Sequence, residues 1–170
     1  MFQILLVCTG NTCRSPMAEA LLKDKIRKCN AARQVSAASA GIAAWNDGQA
    51  SYGACYVMEK RGLDLRLHRS RRLVKEDVRS ADLLLTMTAS HKAAVLSLLP
   101  EALHKVFTLA EFAGENGDVP DPYGGDVAVY EVCATEIEKI LEKCWGKILL
   151  FAGKMDCAEK DDERVPGTEK

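Results

Sequence analysis

The chain opens on an apolar run, residues 2–7, interrupted only by Gln3, and the run stops at Cys8-Thr9-Gly10-Asn11. A run this short and this apolar reads as a central strand buried on both faces, which is the habit of parallel sheets. Parallel neighbours cannot be joined by a tight turn, so each strand needs a crossover, usually a helix. The rest of the chain supplies these pieces in alternation. After Pro16, a favoured first helical residue, Met17, Ala20, Leu21 and Ile26 recur at helical spacing up to Asn30. Residues 35–40 read as a second strand closed by Gly41, residues 81–86 as a third and 105–108 as a fourth, short one. Residues 49–61 read as a helix stopped by Gly62, which suits a left-handed cap, and residues 90–99 as a helix ending before Pro100. The last element expected spans 127–150, where Tyr130, Cys133, Ile137, Ile140, Leu141, Cys144 and Ile148 form a stripe at helical intervals. The expected fold is a single α/β domain over residues 1–151 with a parallel sheet and right-handed crossovers. Residues 152–170 are densely charged with little to bury, and read as a disordered tail.

Composition narrows the function. With 170 residues, 48% of them hydrophobic, and a net charge of −1, the chain can bury a core and offers no bulk attraction to nucleic acid or an anionic membrane. One small anion pocket remains compatible with that balance. Seven cysteines are an odd number and too sparse for a disulfide scaffold. No uncharged stretch approaches the roughly 18 residues a membrane span needs, and no basic stretch precedes the first apolar run. A cytoplasmic protein with reduced thiols is expected. The three histidines and scattered cysteines show no ligand spacing, so neither a metal nor another cofactor is expected.

Between the first strand and the first helix lies Cys8-Thr9-Gly10-Asn11-Thr12-Cys13-Arg14-Ser15-Pro16. A strand-to-helix turn aims successive N–H groups and the positive end of a helix at one point, which makes an anion cradle. A thiol at its start is favoured as thiolate, and Arg14 adds a planar two-pronged donor suited to phosphate oxygens. Gly10 and Asn11 are the residue types that most readily accept a left-handed backbone in such a loop. Cys55 and Arg61 repeat the Cys-x5-Arg spacing but lie within a helical pattern, as a half-buried cysteine and a surface arginine. Phosphate-ester chemistry also needs a proton donor for the leaving group. The Gly-, Asp- and Pro-rich stretch 114–126 offers Asp118, Asp121 and Asp126, of which Asp121 is stiffened by Pro122 and flanked by Tyr123, a candidate wall for a substrate slot.

V-C-T-G-N-T-C-R-S-P-M-A-E at residues 7–19, together with D-P-Y-G-G at 121–125, resembles the low-molecular-weight protein phosphatase family, over roughly residues 2–150. The resemblance implies a Rossmann-like, four-stranded parallel sheet with helices on both faces. It implies Cys8 as the nucleophile that forms a phosphocysteine, Arg14 as the phosphate clamp, and Asp121 as general acid and then general base. Thr9, Gly10, Asn11, Thr12, Cys13, Ser15 and Tyr123 are the implied phosphate and substrate contacts. It further implies that Asn11 is held by Ser39, Glu19 and His68, while Ser15 is expected to hydrogen-bond the Cys8 thiolate. Arg66, Arg69, Arg71 and Arg72 read as a solvated face.

Within the family, phosphotyrosine enzymes usually carry isoleucine or leucine where this chain has Thr12, and C-T-G-N-T-C-R-S-P resembles the bacterial protein-arginine phosphatases. Phosphorylated proteins are the expected substrates and inorganic phosphate the product, with phosphoarginine favoured and phosphotyrosine as the alternative. An arsenate reductase of the thioredoxin-coupled type would need a downstream cysteine pair, and no cysteine lies between Cys55 and Cys133. A non-catalytic phosphate-binding module or a phosphocarrier would need the cradle without Asp121. Cys8 and Cys13 are also expected to form a reversible disulfide under peroxide.

Overall fold

The opening apolar run forms strand β1 (Phe2–Cys8), and its alternate residues feed two different cores. Phe2, Ile4, Leu6 and Cys8 face one side, while Leu5 and Val7 face the other. This is why the run shows no polar alternation: both faces of the strand are covered. The computed structural model describes the backbone of residues 1–162 and the side chains of residues 1–153.

Three further strands, β2 (Val35–Gly41), β3 (Leu83–Thr86) and β4 (Val106–Thr108), complete one sheet of order β2-β1-β3-β4, parallel throughout. Helices α1 (Arg14–Lys28), α2 (Tyr52–Glu59) and α6 (Val127–Asp162) contribute to the larger core, with Met17, Leu22, Val57, Met58, Ile137 and Ile148 buried there. Helices α3 (Lys75–Ser80) and α4 (Ala89–Leu98) cover the opposite face through Val78 and Val95. Helix α5 (Leu109–Phe112) follows β4 directly and joins the larger core through Leu109 and Phe112. The expected four-stranded α/β arrangement with helices on both faces is the one observed.

Because β2 lies on one side of β1 and β3 on the other, the sheet has a topological switch point at β1. Ligand sites of open α/β sheets form beyond the carboxyl ends of the strands at such a point. Cys8 is the last residue of β1, so the fold itself places it there.

Several boundaries differ from expectation. Helix α1 starts at Arg14, so Pro16 is its third residue; its missing N–H is still one of the donors a helix start leaves unpaired. Helix α2 starts at Tyr52 because the Ser51 side chain accepts from the Ala54 N–H, and the chain turns at Gly62, whose φ is +72°. Strand β3 begins at Leu83, and β2 runs one residue longer, to Gly41. The short helices α3 and α5 and the 3-10 turn Pro100–Lys105 were not expected, since four to six residues are too few to display a helical period. Helix α6 continues past the expected end at residue 150 to Asp162, so the backbone of 152–162 is helical where a disordered tail was expected. The rest of that expectation, residues 163–170, lies outside the described residues.

Candidate active site

The loop from Cys8 to Arg14 is suspended by its carbonyls. Ile42 N donates to Cys8 O (3.0 Å), Ala43 N to Thr9 O (3.0 Å) and Ser51 N to Thr12 O (2.8 Å). His68 Nε2 lies 2.8 Å from Asn11 O, and since a carbonyl only accepts, that nitrogen carries the proton. With these four carbonyls turned outward, the loop presents N–H groups on its concave side, and the Asn11 N–H indeed points at Cys8 Sγ at 3.3 Å. Gly41 lets the loop lie this close to β2. A Cβ there would stand 2.6 Å from Thr9 O and 2.9 Å from Asn11 N.

Asn11 holds the loop's strained point, with φ of 55° and full burial. Gly10 does not share the left-handed conformation, contrary to expectation; among the described non-glycine residues, Asn11 is the one within the loop that does. The Asn11 amide is oriented by Arg71, whose backbone N–H donates to Oδ1 at 3.0 Å. Nδ2 then donates to Ser15 Oγ (2.9 Å) and Ser39 Oγ (2.8 Å). Each serine, having accepted, has its own proton to give. Ser39 donates to the Glu19 carboxylate, which also pairs with Lys23, while Ser15 Oγ stands 3.0 Å from Cys8 Sγ. The proton direction therefore makes Cys8 Sγ an acceptor from both the Ser15 hydroxyl and the Asn11 N–H. Asn11, Ser39, Glu19 and His68 come together as the resemblance implied.

Arg14 is 4% exposed at the start of α1. Its guanidinium donates to Val119 O (3.2 Å) and to Asp121 Oδ2 (2.6 Å), and its buried Nε has no hydrogen-bond partner among the described residues. Asp121 Oδ1 accepts from the Tyr123 N–H at 3.2 Å, which fixes the carboxylate beside the cradle. The other two aspartates of the loop are helix caps: Asp118 accepts from Ala89 N at the start of α4, and Asp126 from Val129 N at the start of α6. Geometry thus singles out Asp121, whose side chain remains 48% exposed.

Thr12 is half-buried at the rim, and Cys13 lies beneath it, with Ser51 Oγ at 3.3 Å and Tyr130 Oη at 3.4 Å from its sulfur. Burial, with the contact to Cys13 next, pushes the Tyr130 hydroxyl up to about 12, so it is neutral at pH 7. Burial likewise pushes Cys133 and Cys144 up to about 12, which leaves both as unreactive core thiols. Cys55 is raised by burial and Arg61 pairs with Glu131 on α6, so the second Cys-x5-Arg spacing is structural.

Sequence reasoning missed four contributors: Gly41, Ser51, Tyr130 as a contact of Cys13, and above all His91. His91 is 4% exposed, with Nε2 at 2.8 Å from Thr9 Oγ1. The basic loop is also more than a solvated face, since its His68 and the Arg71 backbone hold Asn11. Trp45, 89% exposed, stands on the segment after β2 that hydrogen-bonds the cradle. Among the described residues, no group of three or more potential ligands could hold a metal ion, and no helix is long and apolar enough to cross a membrane.

The family model described as low molecular weight phosphotyrosine protein phosphatase matches residues 3–149. A protein-arginine-phosphatase of Geobacillus stearothermophilus is 40% identical over 148 residues, 86% of this chain and 96% of that protein. One from Bacillus subtilis is 41% identical over 141 residues, 82% and 92% of the two chains. Among solved structures, a low molecular weight protein tyrosine phosphatase from T. tengcongensis superposes with a TM-score of 0.82 at 42% identity, covering 86% of this chain and 99% of that one. A cysteine-to-serine mutant of the YwlE arginine phosphatase, with its active-site serine phosphorylated, gives 0.82 at 38% identity over 86% and 95% of the chains. A thiol-tipped anion cradle at the switch point of a four-stranded sheet, matched along nearly the whole folded chain, places this protein in the low-molecular-weight protein phosphatase family.

Proposed function

We propose that this protein hydrolyses phosphoarginine on other proteins in two steps through a phosphocysteine. The Cys8 thiolate attacks phosphorus, the P–N bond breaks, and the departing guanidine nitrogen takes a proton from Asp121. Water, deprotonated by Asp121, then attacks the phosphocysteine; the P–S bond breaks, inorganic phosphate leaves and the Cys8 thiolate is restored. Arg14 and the inward N–H groups neutralise charge on the phosphoryl oxygens in both steps. When phosphate enters, Arg14 shares its guanidinium between the anion and Val119 O, which frees Asp121 to hold the proton it must deliver.

The observation that carries the substrate assignment is the hydroxyl of Thr12 on the cradle rim. A hydroxyl can meet a polar, planar guanidinium, whereas an isoleucine there would leave its N–H groups desolvated and unpaired. The 40% and 41% identity to relatives named protein-arginine-phosphatase supports the same reading. Phosphotyrosine is the second reading, favoured by the exposed rings of Trp45 and Tyr123, 89% and 79% exposed, which could wall an aromatic substrate. It is also favoured by a relative from Ralstonia nicotianae, 38% identical and named a probable low molecular weight protein-tyrosine-phosphatase. We place the enzyme in the cytoplasm, where thiols such as Cys8 stay reduced, without cofactor, nucleic-acid or membrane partner.

The test is turnover of a phosphoarginine peptide against its phosphotyrosine counterpart, for wild type and Thr12→Ile. Wild type should prefer phosphoarginine, and Thr12→Ile should lower its kcat/KM about 30-fold, the equivalent of one lost polar contact of about 2 kcal/mol, while sparing phosphotyrosine. An unchanged substrate ratio in Thr12→Ile removes the assignment.

A further inference from the structure

His91 lies 82 positions beyond Thr9, on the first turn of α4, and is brought to the cradle by the β1–β3 pairing. Nothing in the two-step chemistry uses it, yet it is a buried imidazole that faces the site. Burial, followed by the Arg14 charge, pushes its pKa down to about 4, so the ring is neutral at pH 7 and one nitrogen carries a proton. Nδ1 is buried without a partner among the described residues. A buried N–H with no acceptor is rarer than an unused lone pair, so the proton sits on Nε2 and is donated to Thr9 Oγ1.

This bond settles the last free torsion of Thr9. Its backbone is already fixed, since Thr9 O accepts from Ala43 N and is packed by Gly41. With one lone pair taken by His91, the Thr9 hydroxyl has its own proton available, and Thr9, next to Cys8 in the loop, is an exposed residue. The same stretch of chain also carries the acid loop: Val119 N donates to Met87 O and Ala89 N to Asp118 Oδ1, both at 2.8 Å. Residues 87–91 therefore fix Thr9 and the Asp121 loop to one support.

We infer that His91 is a positioning residue for the reaction and that it aims the Thr9 hydroxyl as a donor to a non-bridging oxygen of the phosphoryl group being transferred. The inference rests on the phosphatase reading above and adds a hydroxyl donor to the cradle, independent of the Asn11 network. His91 touches no substrate and acts through Thr9, so the two residues form one unit.

The experiment is a double-mutant cycle of Thr9→Val and His91→Leu, with His91→Gln as the conservative variant that restores an N–H near Nε2. kcat and KM are measured with a phosphoarginine peptide and with p-nitrophenyl phosphate, alongside the thermal midpoint. Each single change should lower kcat/KM about tenfold, mainly in kcat, as expected for one contact made in the transition state. The double variant should be no slower than the slower single one, and His91→Gln should regain activity with Thr9 present but not with Val at that position. Losses that multiply in the double variant, or a kcat untouched by Thr9→Val, overturn the pairing while leaving the phosphatase reading intact. A wild type that hydrolyses neither compound overturns both. Should His91→Leu not fold, His91→Phe, which also lacks the N–H, takes its place in the cycle with Thr9→Val and separates the same outcomes.

Discussion

Burying a neutral histidine makes stability depend on pH in a window where few other groups titrate. The ordinary His91 value of 6.5 is lowered to about 4 by burial and by the Arg14 charge, against weaker pulls from Asp121 and Asp118. Between those values the unfolded chain binds a proton that the folded chain refuses. Stability from this site is therefore complete above pH 6.5 and is lost as pH falls toward 4. The whole loss corresponds to about 3 kcal/mol, and about 2 kcal/mol of it is already gone at pH 5. His91 is only 4% exposed, so solvent screening removes little of this. The carboxylates held low by cationic neighbours, among them Glu111 beside Lys92 and Glu131 beside Arg61, lose their contributions as pH falls below their ordinary value of 4.5, under the lowest pH of the assay. The assay is urea unfolding of wild type and His91→Gln at pH 7.5, 6.5, 5.5 and 5.0, in reducing buffers free of phosphate, since an anion bound to the native cradle would mask the change. Wild type should lose about 2 kcal/mol more than His91→Gln across the series. Parallel stability curves for the two proteins would show that the ring is protonated as readily in the folded chain, and the tautomer argument for Thr9 would fall with it.

Gly41→Ala places a methyl group against two backbone atoms of the cradle, Thr9 O and Asn11 N, which no rotamer change can relieve. It should cost about 2 kcal/mol in urea unfolding and lower kcat/KM about a hundredfold, because the donors are displaced from the phosphoryl oxygens; near-normal turnover would show that the loop tolerates a shift away from β2. Cys13→Ala should retain turnover but fail to recover it with a thiol reductant after peroxide, since the proposed protective disulfide with Cys8 can no longer form; recovery equal to wild type removes that role.

The sheet was legible because β1 and β2 end close to Gly10 and Gly41, because β3 lies within a short apolar run, and because a strand buried on both faces needs no alternation. The helices that were missed carry too little pattern. Helix α3 buries only Val78, and its start is set by Asp77, whose carboxylate accepts from the Val74 N–H. Helix α6 was cut short because apolar spacing thins after Leu150, yet a helix already propagating costs little to extend, and half of residues 151–162 are Ala, Lys, Met or Glu, which are good helix formers.

The site divides along a different line. Cys8, Asn11, Arg14 and Ser15 are neighbours in sequence, so a strand, a tight turn and a helix start are enough to bring them together. Asp121 was preferred for its neighbours Pro122 and Tyr123, although two more aspartates stood within five residues of it, and only the structure shows Asp118 and Asp126 occupied as caps. Gly41, Ser51 and His91 could not be read at all, because their importance lies in which carbonyl or hydroxyl of the cradle they meet. A glycine closing a strand, a serine before a helix and a histidine on a first turn each have an ordinary local explanation. The order β2-β1-β3-β4 gives them a second role: it puts Gly41 on one flank of Cys8 and the start of α4 on the other. The nucleophile's loop is thus gripped from both neighbouring strands, and the electrostatics of the cradle depend on residues that carry no phosphate-binding chemistry of their own.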